Sequence, residues 1–216
     1  HLCGIASEES EGIVQIPEGY PVGKYTLAFD PMDGSSNIDV NAGIGTIFSI
    51  HQRVLESGPA TEADFCQPGS RQIAAGYVLY SSSTMMVYTT GQNVAGFTLE
   101  PSVGEFLLSH PRITTPTQGK MYSVNEGNTH TWDAGTKKYI SYLKELDKAS
   151  GRPYSLRYIG CLASDFHRNL LYGGIYIYPA DCSDPAAPKP KLRLLYEAAP
   201  LAFIAEQAGA RASTGN

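Results

Sequence analysis

The sequence lacks the features that mark a membrane, secreted or nucleic-acid-binding protein. Its apolar runs are far shorter than the roughly 20 residues that a membrane-spanning helix needs. Residues 1–4 have neither the charged start nor the apolar core of a signal peptide. Charged residues make up 17% of the chain and the formal net charge is -5, so no basic surface is indicated. We therefore expect no membrane segment and no nucleic-acid partner.

Cysteine is also scarce, and its spacing excludes two familiar motifs. The chain has 4 cysteines, Cys3, Cys66, Cys161 and Cys182, and no pair of them is separated by two residues. A zinc ribbon and a thioredoxin-like redox motif both require such a pair. The sequence therefore favours a reduced, cytoplasmic protein whose thiols are free and mostly structural.

What is present indicates a layered α/β protein. The 216 residues include 42% hydrophobic residues, enough for a full core in one large domain or two small ones. The first half is rich in strand-like segments, and the second half alternates helix and strand. Predicted strands cover residues 25–29, 44–50, 73–80, 84–90, 96–99, 105–108, 175–178 and 191–196. Predicted helices cover residues 132–146, 164–172 and 198–208.

Residues 30–39, with the sequence DPMDGSSNID, are the most informative part of the chain. Asp30 and Asp33 follow an apolar strand, and Pro31 is expected to fix a turn there. Gly34 allows close approach of the backbone to a ligand, and Ser35 and Ser36 add donors. Carboxylates suit hard cations, while hydroxyl and backbone donors suit phosphate. The stretch therefore predicts a metal-assisted phosphate site.

Three further acids can join this site. Glu8 and Glu9 follow an apolar segment, and Glu197 is placed at the end of the predicted strand 191–196. Each has an ordinary structural alternative, because Glu8 and Glu9 alone fit a solvated pair and Glu197 alone fits a helix flank. Their occurrence together with Asp30 and Asp33 favours the interpretation that all of them belong to the metal-assisted phosphate site.

In these acidic residues and their surroundings, the chain resembles a known family. The stretch 30–39 is similar to the signature of fructose-1,6-bisphosphatases, in the superfamily that also holds inositol monophosphatases. Further matching motifs follow in order: SEE at 7–9, AAGY at 74–77, YSVNEG at 122–127, RYIG at 157–160, YGGI at 172–175 and KLRLLYE at 191–197. The resemblance runs from residue 7 to residue 215, and details around Asn128 and His130 are similar to plant or algal members.

The resemblance implies a layered α/β/α/β/α sandwich with two sheet-containing halves. Residues 1–112 would form the N-terminal, allosteric-type half, and residues 113–216 the substrate-binding half. Both ends of the sequence are abrupt, so we expect both halves to be incomplete and the chain to be an excerpt of a longer one. Lys24 and Tyr25 match part of the family's AMP site.

The resemblance also assigns site residues. Glu8, Asp30, Asp33, Glu197 and the backbone carbonyl of Met32 correspond to metal ligands. Glu9 corresponds to a residue that helps to activate the attacking water, and Asp33 also belongs to the catalytic group. The reacting phosphate falls to Asp33, Gly34, Ser35 and Ser36. Contacts to the rest of the substrate fall to Asn125, Tyr158, Tyr178 and Lys191, with Arg157 reaching the neighbouring subunit.

The function that the resemblance implies is Mg²⁺-dependent hydrolysis of fructose 1,6-bisphosphate to fructose 6-phosphate and phosphate. Mn²⁺ or Zn²⁺ are the expected substitutes, and a homotetramer is typical of the family. The alternatives are a sedoheptulose-1,7-bisphosphatase and a non-catalytic protein that binds sugar phosphates. The location is expected to be cytoplasmic, with a plastid as the alternative. Residues 51–65 are short and without cysteine, so they lack the insertion by which plastid members are redox-regulated.

Overall fold

Among residues 1–215, which the computed structural model describes, the chain forms two β-sheets. The larger sheet has eight strands: β1 (Leu2–Ser7), β2 (Ile13–Gln15), β3 (Tyr25–Asp33), β4 (Ile44–Gln52), β5 (Gln72–Tyr80), β6 (Thr84–Thr89), β7 (Val94–Glu100) and β8 (Glu105–Ile113). Their order across the sheet is β2-β1-β3-β4-β5-β6-β7-β8. Within residues 1–215, neighbouring strands of this sheet are antiparallel except for β1 and β3, which are parallel.

The smaller sheet and the helices come mainly from the second half of the chain. Its three parallel strands, in the order β10-β9-β11, are β9 (Met121–Ser123), β10 (Ser155–Leu156) and β11 (Ile175–Tyr176). The α-helices of the described residues are α1 (Glu62–Phe65), α2 (Ala134–Lys144), α3 (Leu162–Tyr172) and α4 (Ala199–Gln207). None of them is both long and apolar enough to cross a membrane.

The main core lies between the larger sheet and the helices α3 and α4. Alternate side chains of the strands point inward, such as Ile47 of β4 and Tyr77 of β5. They pack against Leu170 of α3 and Ile204 of α4, all in one buried apolar cluster. Burial of this cluster removes apolar surface from water, which is the main force that holds the helices on the sheet.

A second core joins α2 to the smaller sheet. Tyr122 of β9 packs with Trp132, Ile140 and Leu143, and Asp133 caps α2 by accepting the Thr136 N–H at 2.9 Å. The layers are thus the large sheet, α3 with α4, the small sheet and α2. These are four of the five predicted layers, which confirms the layered α/β class. A division into two folding units at residues 112 and 113 stays a prediction.

The structure corrects several predicted elements. Residues 191–196 are not a strand, because Leu194–Ala198 form a π-helical turn that leads into α4. Strand β8 runs through Pro111 to Ile113, which is tolerated because β8 is an edge strand. The strand predicted at 175–178 ends at Tyr176, and α3 begins two residues earlier than expected. Short apolar runs do not distinguish helix from strand, which explains the first error.

Candidate active site

Asp30 and Asp33 lie on the same buried face of β3 because this strand contains a bulge. Residues three apart normally face opposite sides of a sheet. Here the register shifts between Asp30 and Asp33, whose partners on β4 are only two residues apart. Thr46 occupies the single position opposite the bulge, and its Oγ1 donates a hydrogen bond to the Pro31 carbonyl at 2.8 Å. The predicted turn at Pro31 was wrong, since the strand continues through it to Asp33.

Glu197 completes a buried cluster of three carboxylates. Single ligand atoms of Asp30, Asp33 and Glu197 all lie within 4.8 Å of one another. The three residues are only 4%, 6% and 7% exposed, respectively. Burial raises the pKa of Asp30 and of Glu197 above their usual values, and the neighbouring carboxylates raise both pKa values further. Oxygen donors placed this closely, with their charge poorly solvated, suit a hard divalent cation.

Arg193 connects this cluster to Glu8. Its guanidinium forms an ion pair with Glu8 and lies 3.5 Å from Glu197, and its backbone N–H donates to Glu197 at 2.5 Å. Glu8 therefore sits beside the cluster but is not one of the three acids that converge. The sequence motifs assign no role to Arg193. Its position four residues before Glu197, the spacing of a helical ion pair, was the available signal.

Asp33 is held by the N-terminus of α3. Its carboxylate accepts the backbone N–H groups of Leu162 at 3.2 Å and Ala163 at 2.7 Å. It also accepts the thiol of Cys161 at 3.1 Å. Burial and the charge of Asp33 raise the pKa of Cys161 to about 12, which keeps this thiol a donor. The first N–H groups of a helix have no partner within it, so Asp33 caps α3 from the other half of the chain.

Gly34 brings the loop that is predicted to hold phosphate, residues 34–36, against the start of helix α3. Its φ is 78°, in the left-handed region that favours glycine, and it starts the 3₁₀ helix Ser35–Val40. A Cβ atom on Gly34 would lie 2.7 Å from the Cβ of Cys161. Gly34 therefore lies in close contact with the start of α3, and its predicted close approach to a ligand stays a prediction. Ser35 and Ser36 follow with exposed side chains, so their donors are available to a ligand.

Two tyrosines predicted to bind substrate, Tyr158 and Tyr178, lie near each other. Tyr158 is half-buried; burial raises its pKa, and the nearby Tyr178, Asp165 and Asp33 raise it further. Tyr178 stacks on Tyr176, with ring centroids 6.3 Å apart. Tyr158 is thus close enough to both Tyr178 and Asp33 for their charges to raise its pKa.

The polar residues predicted for the distal part of the substrate are less directly placed. Asn125 is exposed, and its side-chain oxygen accepts the Gly127 N–H at 3.1 Å, which caps a short 3₁₀ helix. Lys191 is exposed. Arg157 is exposed too, and its Nη1 donates to the Leu156 carbonyl at 2.8 Å. Within residues 1–215, the hydrogen bonds and ion pairs of these three side chains do not reach the carboxylate cluster. Their roles stay predictions.

The remaining predicted residues occupy varied positions. Glu9 is exposed, and its N–H donates to Ser7 Oγ at 3.3 Å. Met32 is 43% exposed, and its N–H donates to Asp30 at 2.9 Å. Lys24 and Tyr25 lie at the start of β3, at the opposite end from Asp33. At about 3.3 Å per residue, Tyr25 is about 17 Å along the strand from Asp30. An AMP-site remnant there would be separate from the carboxylate cluster.

A cavity opens beside the cluster. Its volume is about 720 Å³, and its lining includes Leu162, Tyr176, Tyr178 and Glu197. This volume lies in the range of small-molecule sites. On this layered α/β scaffold, three acids converge beside the cavity in an arrangement that can hold a metal ion, and the loop that Gly34 opens lies against the helix that anchors Asp33.

Comparison with known proteins identifies the family to which this site belongs. A family model described as Fructose-1-6-bisphosphatase, N-terminal domain, matches residues 1–111. A second, described as Fructose-1-6-bisphosphatase, C-terminal domain, matches residues 115–216. The chain therefore belongs to the fructose-1,6-bisphosphatase family, as the sequence motifs predicted.

Individual relatives agree. The chain is 57% identical to a fructose-1,6-bisphosphatase class 1 of Maridesulfovibrio salexigens, over 99% of this chain and 64% of that protein. It is 61% identical to one of Chloroherpeton thalassium, over 98% of this chain and 60% of that protein. The crystal structure of Leishmania major fructose-1,6-bisphosphatase in holo form superimposes with a TM-score of 0.88 and 44% identity, over 96% of this chain and 65% of that one.

The chain thus spans less than two thirds of the length of these relatives. The relatives from Maridesulfovibrio salexigens and Chloroherpeton thalassium are bacterial, which gives no support to the plastid alternative. The cytoplasmic location stays a prediction.

Proposed function

We propose that the full-length gene product hydrolyses the 1-phosphate of fructose 1,6-bisphosphate in a Mg²⁺-dependent reaction. The observation that carries this proposal is the buried cluster of Asp30, Asp33 and Glu197 beside the loop that Gly34 opens. Membership of the fructose-1,6-bisphosphatase family supports the substrate and the reaction.

The chemistry of the donor set supports a hard metal ion. Asp30, Asp33 and Glu197 converge, and the Arg193 guanidinium pairs with Glu197 and with the neighbouring Glu8. Buried carboxylates need a compensating charge, and oxygen ligands alone favour Mg²⁺ over the softer metals. When bound, the metal would neutralise charge on the scissile phosphate and lower the pKa of a bound water. Mn²⁺ and Zn²⁺ are the expected replacements.

In this proposal, each residue of the site has a separate role. Asp30, Asp33 and Glu197 hold the cation, with Glu8 and the Met32 carbonyl as further ligands. Gly34, Ser35 and Ser36 present backbone and hydroxyl donors to the reacting phosphate. Glu9, which is exposed, takes part in accepting the proton of the attacking water. The start of α3 contacts both Asp33 and Gly34, so one helix would position the cation-binding acid and the phosphate loop.

The distal end of the substrate falls to a second set of residues. Tyr158 and Tyr178 supply hydroxyl groups and an apolar wall near the cluster, while Asn125 and Lys191 add an amide and a cation. Arg157 is exposed and suited to bidentate phosphate binding. We assign Arg157 to the site of a neighbouring subunit in a homo-oligomer, which we propose to be a tetramer.

Phosphate release tests the proposal. The full-length gene product is given fructose 1,6-bisphosphate with Mg²⁺, and then with excess EDTA. We expect release with Mg²⁺ and none with EDTA. Asp30→Asn should abolish release, whereas the matched control Asp39→Asn, an exposed acid of the same loop, should retain it. Metal-independent release, or none at all, contradicts the proposal.

Two other outcomes are informative. Faster release from sedoheptulose 1,7-bisphosphate than from fructose 1,6-bisphosphate would replace the proposed substrate. Sugar-phosphate binding without turnover would indicate a non-catalytic protein.

A further inference from the structure

Asp165 is a buried carboxylate to which the sequence motifs assign no role. It lies in the first turn of α3 and is 0% exposed. Its Oδ1 accepts the Ile159 N–H at 2.9 Å, and its Oδ2 accepts the N–H groups of Ile159 and Gly160, both at 3.0 Å. Among the ion pairs of residues 1–215, none involves Asp165. Its charge is thus stabilised chiefly by the backbone of one short segment.

That segment, residues 157–160, carries Arg157 and Tyr158. Its first N–H, that of Arg157, donates to the Tyr122 carbonyl of β9 at 2.9 Å. The Ile159 carbonyl lies 3.4 Å from Nδ2 of Asn37, in the loop that follows Gly34. Asp165 supplies the remaining anchor, which ties the segment to α3.

Gly160 adapts the backbone to this anchor. Its φ is 85°, which lets the chain turn so that two consecutive N–H groups point at one carboxylate. A Cβ atom at Gly160 would have its nearest neighbour at 3.8 Å, the Cε1 of Tyr158. The requirement for glycine is therefore conformational and not a matter of space.

The same turn of α3 holds Asp33 through the N–H groups of Leu162 and Ala163. One rigid turn thus fixes both an acid of the carboxylate cluster and the segment with Arg157 and Tyr158. We propose that Asp165 is a positioning residue, which sets the distance between the metal cluster and the residues that receive the distal phosphate. This inference rests on the proposed function.

The test is Asp165→Asn in the full-length gene product. The amide retains one acceptor oxygen but turns an NH₂ group toward backbone donors, so the segment loses part of its anchor. We expect KM for fructose 1,6-bisphosphate to rise about tenfold or more while kcat changes less than about threefold. For fructose 1-phosphate, which lacks the distal phosphate, kcat/KM should be unchanged within about twofold.

Asp64→Asn is a matched control. Asp64 is also 0% exposed and accepts the backbone N–H groups of Val54, Leu55 and Thr61, but it lies outside the site. This variant should lose stability and keep the wild-type KM for both substrates. An equal rise of KM in Asp64→Asn and Asp165→Asn would overturn the inference, because the effect would then be general destabilisation.

A second variant covers the case in which Asp165→Asn does not fold. Gly160→Ala leaves Asp165 intact but disfavours the left-handed backbone that directs the Gly160 N–H. We expect the same selective rise of KM for the bisphosphate. An unchanged KM in Gly160→Ala contradicts the proposal.

Hydrogen exchange separates failure of this inference from failure of the proposed function. If the wild-type protein releases no phosphate, the proposed function is wrong, but the positioning still has a readout. The amides of Ile159 and Gly160 should exchange slowly in wild-type protein and in Asp64→Asn, and at least about tenfold faster in Asp165→Asn. Equal protection in all three proteins would overturn the inference.

Discussion

Replacing Asp33 with asparagine separates two roles of this carboxylate, as a cap of α3 and as a metal ligand. In the metal-free protein, a carboxylate that served only as a ligand would repel Asp30 and Glu197, so its neutralisation would stabilise the fold. Asp33 also accepts three hydrogen bonds from the start of α3. The two roles therefore predict opposite signs for the change in stability.

The expected magnitude follows from these contacts. The asparagine amide leaves at least one buried N–H without an acceptor, at a cost of about 1–3 kcal/mol. Loss of a negative charge at a helix N-terminus adds about 0.5–1 kcal/mol. Relief of repulsion from Asp30 and Glu197 offsets about 1 kcal/mol. We expect Asp33→Asn to destabilise the metal-free protein by about 2 kcal/mol, which lowers Tm by about 4–8 °C for a chain of this size.

Asp30→Asn is the control for this experiment. Asp30 accepts a single N–H, that of Met32, which the amide oxygen can still accept. Burial already raises its pKa, so its neutralisation should leave stability unchanged or raise it by up to about 1 kcal/mol. Urea and thermal unfolding in EDTA measure both variants. A metal-free Asp33→Asn protein as stable as the wild type would refute the capping role.

Further predictions concern the loop, the ion pair and a buried acid. Gly34→Ala should lower the free energy of unfolding more than Gly104→Ala. Both glycines have positive φ, but only at Gly34 would the added Cβ lie 2.7 Å from another atom. Equal losses of stability in urea unfolding would contradict this. Arg193→Gln removes the ion-pair partner of Glu8, so a bound Mg²⁺ would compensate more negative charge and should raise Tm more than it does in the wild type. A rise in Tm equal to or smaller than that of the wild type would contradict this prediction. Burial alone would raise the pKa of Asp64, but its backbone N–H bonds lower it. The stability lost in Asp64→Asn should thus be complete above about pH 4, the usual carboxyl pKa, and shrink as pH falls further. A loss that grew as pH fell below about 4 would refute this.

Much of the fold could be read from local pattern. Strands β3, β4, β5 and β6 begin within one residue of their predicted starts, because each is an apolar-rich run that follows a polar or glycine-containing boundary. The failure at residues 191–196 has a local cause. The apolar run of Leu194, Leu195 and Tyr196 fits a strand or a helix equally well. The backbone N–H groups of Glu197 and Ala198 both donate to the Arg193 carbonyl, and these hydrogen bonds form the π-helical turn.

The site was less predictable than the fold, because its geometry depends on contacts between distant parts of the chain. The residue types at Asp30 and Asp33 indicated a metal site, but only the bulge places both on one face. The cap on Asp33 joins it to residues 128 to 130 positions away, which no spacing rule reaches. The role of Asp165 depends in the same way on a turn that α3 and residues 157–160 form together.

Anomalous diffraction from Mn²⁺ would test the central claim most directly. Crystals of the full-length gene product would be soaked with Mn²⁺ and inorganic phosphate, and the anomalous peaks located. We predict a peak in direct coordination with Asp30, Asp33 and Glu197, with phosphate beside Gly34 and Ser35. Mn²⁺ bound elsewhere, or carboxylates that remain without a metal at saturating Mn²⁺, would contradict the account.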